Sequence, residues 1–310
     1  AFAERLKQAK DLDLAKLMQL EVEFSRFMGD EVNRFLSKNQ IDHPIAIASH
    51  GHTVLHRPDL GYTHQIGSGA HLHAITGLPV ICNFRQQDVA LGGQGAPLVP
   101  IGDRMLFGEY SACMNIGGFA NISIDTGRAI QAFDICPVNI VLNDLAGQLG
   151  LPYDRDGLLA AKGKISADLL EALNALDYYA ELAPKSLGKE WVVQNVWPLL
   201  KGAGNGHLAP EDLLATMTAH AGFQIGKTLH NADIPSVLMT GGGVYNATLL
   251  AAIQQHAQAC QLVRPSDDIV NYKEAIIFAF LGLRYLEGKF NVLAEVTGAS
   301  RNHLAGVLYK

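Results

Sequence analysis

The stretch SVLMTGGGVYNATLLAAIQQHA, Ser236 to Ala257, decides the fold class. A short apolar run, Val237 to Met239, meets three contiguous glycines and then an alternation of apolar and polar residues at helical spacing. That is strand, glycine turn, helix, the unit from which α/β domains are built. The turn leaves open backbone and a helix N-terminus at the carboxyl end of a buried strand, where a nucleotide's adenosine or phosphates can lie. It is not a P-loop, because GxxxxGK[ST] is absent, and Gly241, Gly242 and Gly243 are contiguous, so it is not GxGxxG either.

Outward from there, ACMNIGG, ANISID and AIQAFDI read as a meander of hairpins, and residues 139 to 230 as mainly helical. KEAIIFAFLGLRYLEG is a largely buried helix with Lys273 and Glu274 at its start. Residues 11–38 place Leu14, Leu17, Met18, Phe24, Phe27, Met28 and Phe35 at helical spacings, a long amphipathic helix. A short strand, Ile45 to Ala48, empties into a His/Gly loop; THQIG and LPVICNF are further strands, and RQQDVALGGQGAPLVP is a long loop. A helix so early in an α/β chain needs a sheet beneath it. Either preceding strands are missing or the later strands suffice.

The chain has 310 residues, room for about two domains. Apolar residues make up 48%, charged residues 17%, and the net charge is −6 with no Lys/Arg cluster, which argues against a nucleic-acid partner. No apolar run reaches the roughly 18–20 residues that span a bilayer. Charges interrupt the first residues, unlike a signal peptide, and Cys82, Cys113, Cys136 and Cys260 form no CxxC, so reduced, buried thiols in a cytoplasmic protein are expected. The oligomeric state is left open, a homodimer included.

Candidate chemistry gathers at four places. In NIGGFANIS, Gly117 and Gly118 sit between two strands, either as a plain β-turn or as backbone open to phosphate oxygens. SHGHTVLH invites a zinc reading through His50, His52 and His56, but no Asp-His or HExxH accompanies it, and hydrogen-bonding roles are preferred. DTG at Asp125–Gly127 is explained by a hairpin turn, and IGSGAH is not a GxSxG elbow. Asp134, at the expected end of a strand before Pro137, is either a proton acceptor or the N-cap of the helix through VNIVLNDLAGQLG. Glu274, one turn into its helix, is either a buried partner or an acid favoured by the helix dipole.

Taken together, SHGHTVLHRP, THQIGSG, FRQQDVALGGQGAPLVP, NIGGFANIS, LPYDRDGLLAAKGKI, APKSLGKEW, VLMTGGGVYN, KEAIIFAFLG and VTGAS resemble the anhydro-N-acetylmuramic acid kinases of the actin/Hsp70/sugar-kinase superfamily. The resemblance runs from about residue 5 to the end. It implies two RNase H-like α/β domains with a cleft between them: residues 1–105 with 286–310 on the sugar side, residues 106–285 on the nucleotide side. It implies ATP with Mg²⁺, and hydrolysis of the 1,6-anhydro ring with phosphorylation of O6, a step of peptidoglycan recycling. Asp134 matches the general base. Asn115, Gly117, Gly118, Asn139, Gly241, Gly242 and Gly243 match nucleotide positions, and His50, Arg85 and Glu274 the sugar pocket; no protein metal ligand is implied. The family's Gly-Thr-Ser-Leu-Asp-Gly type loop is not found in this sequence, and about 50 residues carrying it are expected upstream. Without that loop the chain is expected to transfer no phosphate, or to be a non-catalytic sugar- or nucleotide-binding member. Ile135, Cys136 and Val138 replace a Thr and two glycines, from which a strained loop is expected.

Overall fold

The computed structural model describes residues 2–206 and 208–310. In chain order the strands are β1 (Ile47–Ser49), β2 (His52–Arg57), β3 (Tyr62–Ile66), β4 (Val80–Cys82), β5 (Ala112–Ile116), β6 (Phe119–Asp125), β7 (Ile130–Pro137), β8 (Ser236–Thr240), β9 (Gln261–Val263) and β10 (Val307–Tyr309). The chain divides into two compact units, one ending at Gly102 and resuming at Glu274, the other running from Asp103 to Lys273. The return was expected at residue 286. It falls earlier, within the Asp267–Leu286 helix, because Phe278 already packs edge-on against Phe84 and His50, and Gly282 against Ala48.

In the first unit β1 pairs parallel with β4, and β10 pairs antiparallel on the other side of β4. The Leu14–Lys38 helix is capped by Asp13, which accepts a hydrogen bond from the Lys16 amide. Its buried positions are Leu17, Leu20, Ser25 and Gly29, one stripe at helical spacing, with Phe24 and Met28 packed beside them. Leu14, Met18, Phe27 and Phe35, expected on the same face, are exposed. The expected His/Gly loop is instead a hairpin, β2 against β3, and Gln86–Ala90 within the expected loop is a short helix. Polar alternation in HTVLHR, and a helix of only five residues, carry too little apolar pattern to be legible.

The second unit has a five-stranded sheet in the order β7-β6-β5-β8-β9. β5, β6 and β7 form the antiparallel meander, and β8 and β9 add in parallel to β5. Numbered within the unit, this is order 3-2-1-4-5 with the second strand reversed, the RNase H-like arrangement. Its core joins Met114, Ile116, Val141, Leu145, Leu214, Met217, Ile225, Val237 and Leu249, all buried. Removing that apolar surface from water, at about 25 cal/mol per Å², is the main term holding the sheet to its helices.

Beneath β5 lies a buried ion pair. Lys273 Nζ stands 2.7 Å from Asp103, with side chains only 7% and 9% exposed. The Ser123 hydroxyl donates to the same carboxylate, and burial beside it pushes the Cys113 thiol up to about 12. All four cysteines are free and buried.

Candidate active site

Both units put their candidate residues at the carboxyl ends of parallel strands, where open α/β sheets bind ligands. In the second unit the strands are β5 and β8. Gly117 and Gly118 follow β5, and Gly241 to Gly243 follow β8. Gly241 takes φ +84°, and a Cβ there would lie 2.6 Å from Asn115 Oδ1 and 2.7 Å from the Ile116 carbonyl. Only glycine lets the two strand exits pass so closely. Gly118 and Gly242 are exposed, with room above them for a ligand. The β7 exit joins the same place: the amides of Val138 and Ile140 donate to the Gly118 carbonyl, and the Asn139 amide to that of Gly117. The structure thus gathers Asn115, Gly117, Gly118, Asn139 and Gly241–Gly243.

Asp134 is not at the strand end and caps nothing. β7 continues through Pro137, and Val138 holds the N-cap of the Asn139–Gly147 helix without a side-chain cap. What places the carboxylate is a β-bulge. Ala120 faces Cys136 and Asn121 faces Asp134, leaving Ile135 as the extra residue. Cys136 is therefore buried opposite buried Ala120, while Asp134, two residues away, pairs with exposed Asn121. Without the bulge, a spacing of two would put both on one face. Across the sheet Asp134 is in register with Asn121, Asn121 with Asn115, and Asn115 with Thr240. This polar row ends on the carboxylate. Asn121 did not stand out in the sequence, although it lies in NIGGFANIS.

The segment from Tyr178 to Leu187 wraps Asp134. The Leu187 amide donates to its Oδ2 at 2.9 Å, the Tyr178 hydroxyl to its carbonyl at 2.6 Å, and its own amide to the Lys185 carbonyl at 3.1 Å. Lys185 Nζ closes the segment on the Tyr178 carbonyl and stands 4.4 Å over the Tyr178 ring. Behind it the Tyr179 hydroxyl donates to His220 Nε2, whose Nδ1–H donates to Asn174. Burial holds His220 neutral, its pKa lowered to about 3. Burial likewise raises the Asp134 carboxyl above the usual 3.8, opposed by the Leu187 bond.

The loop shape beside Asp134 departs from expectation. Among the described residues, left-handed φ at non-glycines occurs at Gln40, Asn83, Asp156 and Asp233, not at Ile135, Cys136 or Val138. The bulge and the extended path through Pro137 make glycine unnecessary at Ile135 and Cys136, while Val138 turns into the helix at φ −130°, ψ −97°.

In the first unit the strands are β1 and β4. His50 follows β1, and Arg85 follows β4 past Asn83, held at φ +59°. Arg85 Nε donates to His50 Nε2 at 2.8 Å, and Nη1 donates to the Gly95 carbonyl at 2.6 Å. His50 Nδ1–H donates to the Gly51 carbonyl at 2.9 Å, so both bonds require the neutral tautomer. Burial first, then the Arg85 charge, lower the His50 pKa below 6.5, with Glu274 opposing. Glu274 is exposed and about two turns into its helix, so it is neither a buried partner nor a first-turn acid. Its charge is nonetheless felt by both His50 and Arg85. The expected outcome is an NMR titration of His50 below 6.5 that moves up toward 6.5 in Arg85→Gln. An unshifted titration in the native protein would exclude the neutral tautomer at mildly acidic pH.

The other histidines keep separate partners: His52 with the Leu6 carbonyl, His56 with Thr63 and His71 with Ser68. Among the described residues no three His, Cys, Asp or Glu side chains are grouped to hold a metal ion.

Comparison with known proteins bears on the assignment. The family model for anhydro-N-acetylmuramic acid kinase matches residues 3–310. A protein named anhydro-N-acetylmuramic acid kinase from Burkholderia lata is 38% identical, over 88% of this chain and 74% of its own length. One of the same name from Pseudomonas paraeruginosa is 38% identical over 85% and 74%, and one from Pseudomonas syringae pv. syringae 34% over 96% and 84%. Among solved structures, an activator of the 2-hydroxyisocaproyl-CoA dehydratase from Clostridium difficile aligns over 69% of this chain and 82% of its own, at 14% identity and a TM-score of 0.39, too low to add to the assignment. With a match from residue 3 to residue 310, the chain belongs to the anhydro-N-acetylmuramic acid kinase family.

Proposed function

We propose that this protein is an ATP-dependent kinase that opens the 1,6-anhydro ring of anhydro-N-acetylmuramic acid with water and phosphorylates O6. The products are N-acetylmuramic acid 6-phosphate and ADP, within amino-sugar and peptidoglycan recycling in the cytoplasm. Among the described residues no helix is long and apolar enough to cross a membrane. The observation that carries the reading is the polar row Thr240–Asn115–Asn121–Asp134, which runs from the glycine-lined strand exits to a wrapped carboxylate.

In this reading the open backbone at Gly117–Gly118 and Gly241–Gly243, with Asn115 and Asn139, takes the nucleotide. His50, Arg85 and Glu274 take the sugar. Water attacks the anomeric carbon and gives its proton to Asp134. The bond from that carbon to O6 breaks, O6 forms a bond to the γ-phosphorus, and ADP leaves. Donors and charge positioned in advance supply most of the stabilisation in such transfers. Mg²⁺ would be carried by the nucleotide's phosphates and offset their charge.

The test is ADP release by the full-length protein with ATP and the anhydro sugar, with mass spectrometry of the product. Sugar-dependent ADP and a 6-phosphate are expected. Binding of both ligands without turnover would identify a non-catalytic member instead, and no binding of the sugar would overturn the substrate.

A further inference from the structure

Arg85 is anchored at two points, His50 Nε2 and the Gly95 carbonyl. His50 is tied to Gly51, so the position of Arg85 depends on what fixes Gly95. Gly95 sits at φ +69°, packed so that a Cβ would lie 2.9 Å from Val89 and 3.3 Å from His56. Its amide donates to Asp88 Oδ2 at 2.6 Å. Asp88 is fully buried, and its other oxygen accepts the Thr297 hydroxyl at 2.7 Å, with His303 Nε2 at 3.7 Å. Thr297 and His303 are themselves buried. The glycine-rich turn and the C-terminal segment are also laced by backbone: the Gln94 amide donates to the Thr297 carbonyl, and that of Ser300 to Leu91. A buried carboxylate with few partners is costly to keep unless those bonds set a position.

Resting on the sugar-kinase reading, we propose that Asp88, braced by Thr297, is a positioning residue that sets the Arg85 guanidinium for the sugar through Gly95. Removing the Thr297 hydroxyl loosens the carboxylate. Asn in place of Asp88 keeps one acceptor oxygen for two donors, so either the Gly95 amide or the Thr297 hydroxyl is left facing an NH2 group, and the hold on the Gly95 turn beside Arg85 weakens. Neither change touches the strand exits that take the nucleotide.

Calorimetric titration of the anhydro sugar and of ATP into the full-length native protein, Asp88→Asn, Thr297→Val and Thr297→Ser tests this without requiring turnover. Sugar affinity is expected to fall about tenfold in Asp88→Asn and Thr297→Val, ATP affinity to stay within about twofold, and Thr297→Ser to bind like the native protein. Folded Asp88→Asn and Thr297→Val proteins with unchanged sugar affinity would overturn the role. So would parallel losses for both ligands that track a lower melting temperature, which would mark a structural role only. Native protein that binds sugar but transfers no phosphate would sink the kinase reading while leaving the positioning role supported or refuted by the same titrations. Native protein that binds no sugar would overturn both.

Discussion

Asp134→Asn is expected to lower turnover of the full-length enzyme by about 10³-fold or more, with ATP affinity nearly unchanged. The amide keeps the shape and can still accept the Leu187 N–H through its oxygen, but it cannot take a proton from water. The variant carries its own control for folding. Burial raises the Asp134 pKa, so the folded state favours the protonated form, and ionisation at neutral pH works against folding. The contribution of this group to stability is greatest below its unfolded pKa and declines as pH rises through the folded one. At pH 7 the Asn variant should therefore unfold at the native temperature or above it. For the same reason, the acid limb of kcat/KM in the native enzyme should lie above the usual 3.8 of an aspartate and vanish in the variant. Near-native turnover, or an acid limb that persists unchanged, would remove Asp134 from the proton transfer.

The second large effect is on stability. Lys273→Met should cost about 3–5 kcal/mol, because it leaves the Asp103 carboxylate buried beneath β5 with its cation gone. Ser123 still donates to that carboxylate, but a hydroxyl does not neutralise it. Adding Asp103→Asn should return part of the loss, since an amide carries no charge to desolvate. Urea unfolding of the two proteins measures both. A loss below about 1 kcal/mol for Lys273→Met would mean that water or another group relieves the charge.

The parts of the molecule legible in the sequence are those set by local pattern. Strand, glycine turn and helix at residues 236–257 needed only neighbours along the chain, and the meander of β5, β6 and β7 announced itself by its turns. Gly117, Gly118 and Gly241 to Gly243 stood out as glycines at strand exits, whereas Asn115 and Asn139 were named through the resemblance to the kinase family. What stayed hidden depends on distance. The amide that holds Asp134 belongs to Leu187, more than fifty residues away, and no local rule links the two. The bulge at Ile135 was equally hidden, since nothing in AFDICP marks the extra residue that separates Asp134 from Cys136 in the register. Glu274 was misread because Asp267 and Asp268 begin its helix before the apolar run does.

Asp103 and Lys273 have one further consequence. They are the first and last residues of the second unit, and the ion pair ties its two ends together. During synthesis that unit is complete as soon as Lys273 has left the ribosome, and it can then close on itself. The first unit must wait for residues 307–309, which add β10 to its sheet. The unit begun before residue 103 is thus completed only after the inserted unit has been made.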